Sequence, residues 1–217
     1  MNWNQKAVFP ALLVLSLACQ KTEMPAPAEV TETSSTSSTS TMTTTTMASG
    51  PATTANVIAD KSSIAFTGAK VTGSHDGVFQ KFNGQLMYTG ATPTGINFDI
   101  DLGSVKTDEA KLDGHLKTPD FFDVAKFPKA TFTSTSITPG ATPNDYTVAG
   151  TLDMHGVKKD VTFPAKVETS PAGVHSTASF SINRQDWGIA YTGAADNLIK
   201  DQVAIKLDLW FPPAPQA

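Results

Sequence analysis

Short runs in which apolar and polar residues alternate recur through most of this chain, and they decide what it can fold into. From Ile96 to Leu102 the apolar Ile96, Phe98, Ile100 and Leu102 are separated by Asn97, Asp99 and Asp101. A period of two puts the four apolar side chains on one face of a strand and the polar ones on the other. Ile64 and Phe66 open a similar run, and Val78 to Gly90 follows it. Further runs extend from Ala130 to Ile137 and through Tyr146, Val148, Gly150, Leu152 and Met154. The last are Val161 to Val167, Val174 to Phe180 and Val203 to Phe211. About eight half-buried strands with turn residues between them, and no long helical periodicity, predict an all-β antiparallel meander. Closing it into a barrel removes the unpaired edges; a two-sheet sandwich satisfies the same alternation. Asn83-Gly84 reads as a turn that breaks the second run, and His155-Gly156 as a turn after Met154.

One stretch departs from the alternation. Lys111 to Phe132 reads KLDGHLKTPDFFDVAKFPKATF. Its middle is expected to form a short helical turn, with Thr118 as N-cap, Pro119 at the first helical position and Asp120 near the positive end. Phe121 and Phe122, with Phe127 and Phe132 close by, need an apolar place, which the interior or mouth of a barrel supplies.

The N-terminal part reads differently. Lys6 precedes an apolar run from Ala7 to Leu17, followed by Ala18 and Cys19. This has the form of a signal peptide (residues 1–18), too short to span a bilayer as a mature helix. Cys19, the single cysteine of the chain, then occupies the lipidation position of a bacterial lipobox, although Ser16 stands where Leu is usual. Residues 20–56 are dominated by Ser, Thr, Pro and Ala, which have little to bury, and are expected to be a disordered tether. Residues 57–217 then form one β domain, long enough for a sizeable core. An exported, lipid-anchored envelope protein facing the periplasm or the exterior is the expectation.

Composition narrows the function. The formal net charge is −4, acids and bases are interspersed, and Arg184 is the sole arginine, which argues against nucleic-acid binding. His75, His115, His155 and His175 lie on different segments without metal-ligand spacing, so no metal site is expected. Asp113 and His115 are two apart, but no nucleophile motif accompanies them, and a structural hydrogen-bonding role is preferred to acid–base chemistry. Arg184 is expected to pair with a carboxylate at a barrel rim, with Asp186, Asp153 and Asp113 as open alternatives.

The aromatic residues point inward. Phe66, Phe79, Phe82, Phe98, Phe132, Phe163, Phe180 and Trp187 fall mostly on the apolar phase of their runs, with Leu116, Phe121, Phe122 and Leu152 beside them. They fill a core or line a pocket. Small inward candidates, Ala65, Gly150, Ala165 and Ala178, leave room among them and favour a cavity.

Four blocks in order resemble the YceI-like family. They are GSHDGVFQKFNG from Gly73 to Gly84, and Asp113 to Phe132 with its D-x-H-L, D-F-F-D-V and P-x-A-T-F elements. VAGTLDMHGVKKDVTFP follows from Val148 to Pro164, and FSINRQDWG from Phe180 to Gly188 precedes Tyr191-Thr192-Gly193. Leu112 and Trp187 depart from the family pattern, where Arg and Phe are common. The resemblance implies a lipocalin-like, eight-stranded antiparallel barrel with a short helical insertion. It further implies a long isoprenoid ligand, a polyprenyl chain or quinone tail, bound without turnover and without a cofactor, and it makes a homodimer plausible. The twelve apolar residues above then form a lipid-binding pocket, with Asp113, His115 and Arg184 as polar contacts near its mouth. Two other readings stand beside this one: a non-catalytic envelope interaction module with a solid core, and, ranked last, a hydrolase or isomerase using Asp113 and His115.

Overall fold

Each alternating run pairs with the next in the chain, and the last returns to the first. A computed structural model describes residues 24–32, 52–90, 92–195 and 197–213. Its strands are β1 (Glu29–Glu32), β2 (Ala52–Asn56), β3 (Ser63–Lys70), β4 (Gly73–Phe79), β5 (Phe82–Thr89), β6 (Thr92–Asp101) and β7 (Val105–Thr107). Helix α1 (Ala110–Leu116) precedes β8 (Lys129–Pro139), β9 (Asp145–Met154), β10 (Val157–Ser170), β11 (Gly173–Asn183), β12 (Gly193–Ala194) and β13 (Asn197–Phe211).

Several of these strands are halves of one interrupted run. β2 and β3 lie along β5 and β4, with Asn56 opposite Gln85 and Ala65 opposite Val78. The same β4–β5 run pairs on its other side with β7 and β6, with Phe79 opposite Val105 and Phe82 opposite Ile100. The meander continues through β8, β9, β10 and β11 to β13, and β13 pairs with β3, with Ile205 opposite Phe66. Eight runs therefore close an antiparallel barrel, cut into more segments than eight by local breaks. At one break Ser104 Oγ accepts from the Lys81 amide (3.0 Å) and donates to the Asp101 carbonyl (2.6 Å), pinning the kink across both strands.

Alternation sets the core. Ile64, Phe98, Phe132, Val148, Phe163 and Leu209 are buried, whereas their neighbours Asp99, Thr133, Thr147 and Pro164 are exposed. The end of the barrel away from α1 carries Leu86, Tyr88, Val174 and Phe211, all fully or almost fully buried.

Local expectations are corrected in several places. Asn83-Gly84 is not a turn but lies inside β5; the break falls at Gln80-Lys81. A Cβ on Gly84 would lie 2.2 Å from the Phe98 ring, so this glycine admits an aromatic rather than bending the chain. The helix is α1, a turn earlier than Thr118, and residues 118–123 form successive turns in which the amides of Phe121 and Asp123 donate to the Thr118 carbonyl (3.0 and 2.9 Å). Ala65 faces outward, paired with exposed Lys206 and Val78. His155-Gly156 does form the expected turn, with positive φ at both residues (55° and 77°).

The segment expected to be a disordered tether is structured at both of its described stretches. β2 belongs to the barrel wall, and β1 adds to β10, with Val30 opposite Val161. Signal peptide, Cys19 and residues 33–51 lie outside the described residues.

Candidate functional site

The barrel encloses a cavity of about 120 Å³ whose lining is apolar apart from Ser176. Of the aromatic and leucine residues singled out from the sequence, Phe79, Phe98, Phe132, Leu152, Phe163 and Phe180 face it. Phe163 and Phe180 stack at 4.2 Å and Phe132 lies 5.7 Å from Phe163, so rings occupy much of the interior. Ala130, Ala165 and Ala178 leave the remaining room. Gly150 also faces inward, where a Cβ would meet the Phe132 ring at 2.6 Å.

A second, larger space opens beside α1. This side cleft has a volume of about 330 Å³ and is bounded by Phe66, Leu116 and Phe121 from the same set. His115 stands over it in a ring cluster, 5.0 Å from Phe121 and 5.1 Å from Tyr191. Its Nε2 lies 2.9 Å from Asp120 Oδ2, and across the cleft His75 Nδ1 lies 2.9 Å from Asp108 Oδ1. Lys70, Lys111 and Glu109 complete a polar rim. Sequence reasoning missed His75, Tyr191 and the two lysines as site residues, because their segments meet only in the fold; the early His-containing block and the Tyr191-Thr192-Gly193 stretch were the available signals.

Interior and cleft meet at aromatic rings. Phe66 borders the cleft, Phe79 borders the interior, and their centroids are 5.6 Å apart, with Phe122 a further 5.8 Å from Phe79. The Phe66 ring lies across β4 at Gly77, where a Cβ would sit 2.3 Å from it. These rings stand between the two spaces.

The other candidates are not among the residues that line the interior or the cleft. Trp187 is fully buried and its Nε1 donates to the Leu152 carbonyl (3.1 Å), and Phe82 is buried within the wall. Asp113 turns to β7 instead of the mouth, accepting from Lys106 Nζ (2.6 Å), the Thr107 amide (2.5 Å) and Thr107 Oγ1 (2.7 Å). The Lys106 and Thr107 hydrogen bonds lower its pKa from 3.8 to about 2. It fastens α1 to the barrel, and it shares no partner with His115. Arg184 is buried too, and its carboxylate partner is Asp201 (3.1 Å), none of the three expected. It also donates to the carbonyls of Ile189 (2.5 Å), Ile199 (3.4 Å) and Lys200 (3.2 Å), so it supports the start of β13, where Ile199 lines the cleft.

Elsewhere, Tyr88 OH and Thr53 Oγ1 are buried with no hydrogen-bond partner among the described residues, and burial pushes the Tyr88 phenol up to about 12. Among the described residues no group of three or more His, Cys, Asp or Glu is placed to hold a metal ion. A broader groove on the outer face of β5, β6 and β8, lined by Asn83, Gln85, Asn97 and Thr133, is the solvated phase of the same alternation.

Comparison with known proteins agrees with this architecture. Residues 56–211 match the YceI-like domain. A UPF0312 protein of Pseudomonas putida is 31% identical over 179 residues, covering 74% of this chain and 90% of that protein. A UPF0312 protein of Yersinia enterocolitica is 40% identical over 93 residues, and there this chain spans only 47% of its relative. Among solved structures, BcnA of Burkholderia cenocepacia superposes with a TM-score of 0.66 at 25% identity, covering 71% of this chain and 98% of that one. A polyisoprenoid binding domain of Saccharophagus degradans gives 0.60 at 22% identity, covering 74% and 98%.

Proposed function

This chain belongs to the YceI-like domain family, and from that premise we propose that it binds a long isoprenoid lipid, a polyprenyl chain or quinone tail, without chemical turnover. The observation that carries this reading is the apolar interior abutting the side cleft at the Phe66–Phe79 ring pair. A tail lies in the interior and its polar head rests in the cleft, within reach of His75, His115, Lys70 and Lys111. Each isoprene unit taken out of water contributes on the order of 2–4 kcal/mol, offset by the cost of ordering the tail. Because ligand pockets usually run to roughly 300–1,000 Å³, the interior widens to admit a tail, chiefly by movement of its phenylalanine rings.

In the same proposal the chain is exported, Cys19 carries a lipid anchor, and the barrel works at a membrane surface of the cell envelope. The signal-like run and its terminal cysteine support this.

The narrow, ring-filled interior favours a second reading, an envelope interaction module with a solid core. Native mass spectrometry of the purified protein, with lipid extraction of the same sample, separates the two. A discrete added mass that extracts as an isoprenoid is expected. A clean apo mass after incubation with quinones and polyprenyl phosphates would sink the lipid reading and leave the module.

A further inference from the structure

The barrel wall has a seam, and the N-terminal strand fills it. β10 and β11 pair only from Ala165–Ala178 to Ser170–Gly173. Continued by one more inward pair, that ladder would set Phe163 opposite Phe180, and there the two rings stack at 4.2 Å. Beyond them the strands part. Residues 26–32 lie between: β1 runs antiparallel to β10, with Glu29 opposite Thr162 and Glu32 opposite Lys159. On its other side the Ala28 amide donates to the Ser181 carbonyl (2.7 Å), and the Ser181 amide donates to the Ala26 carbonyl (3.0 Å). Ala28 is buried and Val30 packs on the core, while Glu29 and Thr31 face solvent.

The inserted strand is lightly held. It is four residues long, the segment just before it meets β11 at a single bridge, Pro27 with Ser181, and its one side-chain ion pair among the described residues is Glu32 with Lys159. The family match begins at residue 56, so this strand lies outside the matched residues. Its loss would leave unpaired backbone groups on both sides of a slot. Behind that slot stand Val161, Phe163, Phe180 and Ile182, all lining the apolar interior.

We infer that residues 24–32 are a removable stave, and that a long apolar chain enters the barrel sideways through the slot between β10 and β11 that the stave closes. This rests on the lipid-binding reading above. It replaces end-on threading of a tail past the Phe66–Phe79 ring pair with lateral entry along the length of the chain. The stave follows closely on Cys19, so a lipid-anchored protein presents the seam near its membrane.

Two measurements on the full chain test this. Opening of the stave alone is read, without ligand, from amide hydrogen exchange at Ser181. Exchange about a hundredfold faster than in the β9–β10 ladder is expected; protection equal to that ladder overturns the proposal. Uptake of ubiquinone from phosphatidylcholine vesicles is then timed in a Glu29→Cys/Thr162→Cys variant carrying Cys19→Ser. The disulfide-locked form is expected to load at least about tenfold more slowly than its reduced form, with the same final occupancy. Equal rates place entry elsewhere and overturn the stave while lipid binding stands; no loading of any form overturns both. If the locked form does not fold, deletion of residues 24–32 serves instead. Faster uptake is expected, and an unchanged or slower rate refutes lateral entry.

Discussion

Gly150 shows how little freedom the inner wall leaves a single residue. A Cβ there would lie 2.5 Å from the Thr133 carbonyl oxygen and 2.7 Å from Ser134 Cα, and backbone cannot step aside as a side chain can. Gly68 has nothing within 4 Å of the same added atom. Gly150→Ala is therefore expected to cost about 2–3 kcal/mol, and Gly68→Ala less than about 0.5 kcal/mol, in urea unfolding; equal costs would contradict the packing described. Asp113 yields a pH prediction. Its folded-state pKa of about 2 lies below its ordinary 3.8, so it favours the fold above that ordinary value, and the benefit fades as pH falls through about 2. Over that window the melting temperature of the wild type should drop more steeply than that of Asp113→Asn; parallel profiles would remove Asp113 as the fastener of α1. Neither role is written in the sequence. The pairing of Arg184 with Asp201 was equally hidden, because the turn from Arg184 to Trp187 folds the chain back on residues that follow it.

At the scale of elements, the strands were legible because alternation records which face meets the core. The short pieces were not. Residues 28–32, Ala-Glu-Val-Thr-Glu, alternate too, but with only two apolar residues they look like the linker around them; what holds them is a gap that exists only once β10 and β11 have diverged. Thr118-Pro119 carried a helix-start signal, yet tertiary packing turned that stretch into a set of turns. These turns place Phe121 against His115 and Tyr191, and Phe122 near Phe79. Phe121→Ala removes a buried ring and is expected to cost about 3 kcal/mol, whereas Phe122→Ala, at a half-buried position, costs less. Loss of the ring current should also move the His115 imidazole NMR signals. A His115 spectrum that stays put would mean the turns are held together without the aromatic cluster.

For the molecule as a whole, closure and capacity pull against each other. Eight paired runs leave no free edge along most of the wall, but a barrel this narrow, ringed by phenylalanines, holds a cavity of only about 120 Å³. If that space is where an isoprenoid tail lies, its capacity depends on small side chains, and Ala165 and Ala178 face each other across β10 and β11 in its lining. An isobutyl group in place of the Ala165 methyl fills the space without touching the cleft. Ala165→Leu should lower affinity for a long-tailed quinone by about tenfold or more, roughly 1.4 kcal/mol, while changing stability by less than about 2 kcal/mol. Binding of a tail-less quinone head in the cleft should stay as it was. The pairing of the two ligands makes the result decisive. Loss of both would mean that the substitution disturbed the fold at large; retention of both would mean that no tail passes Ala165, and that the rings behind it are a core and nothing more.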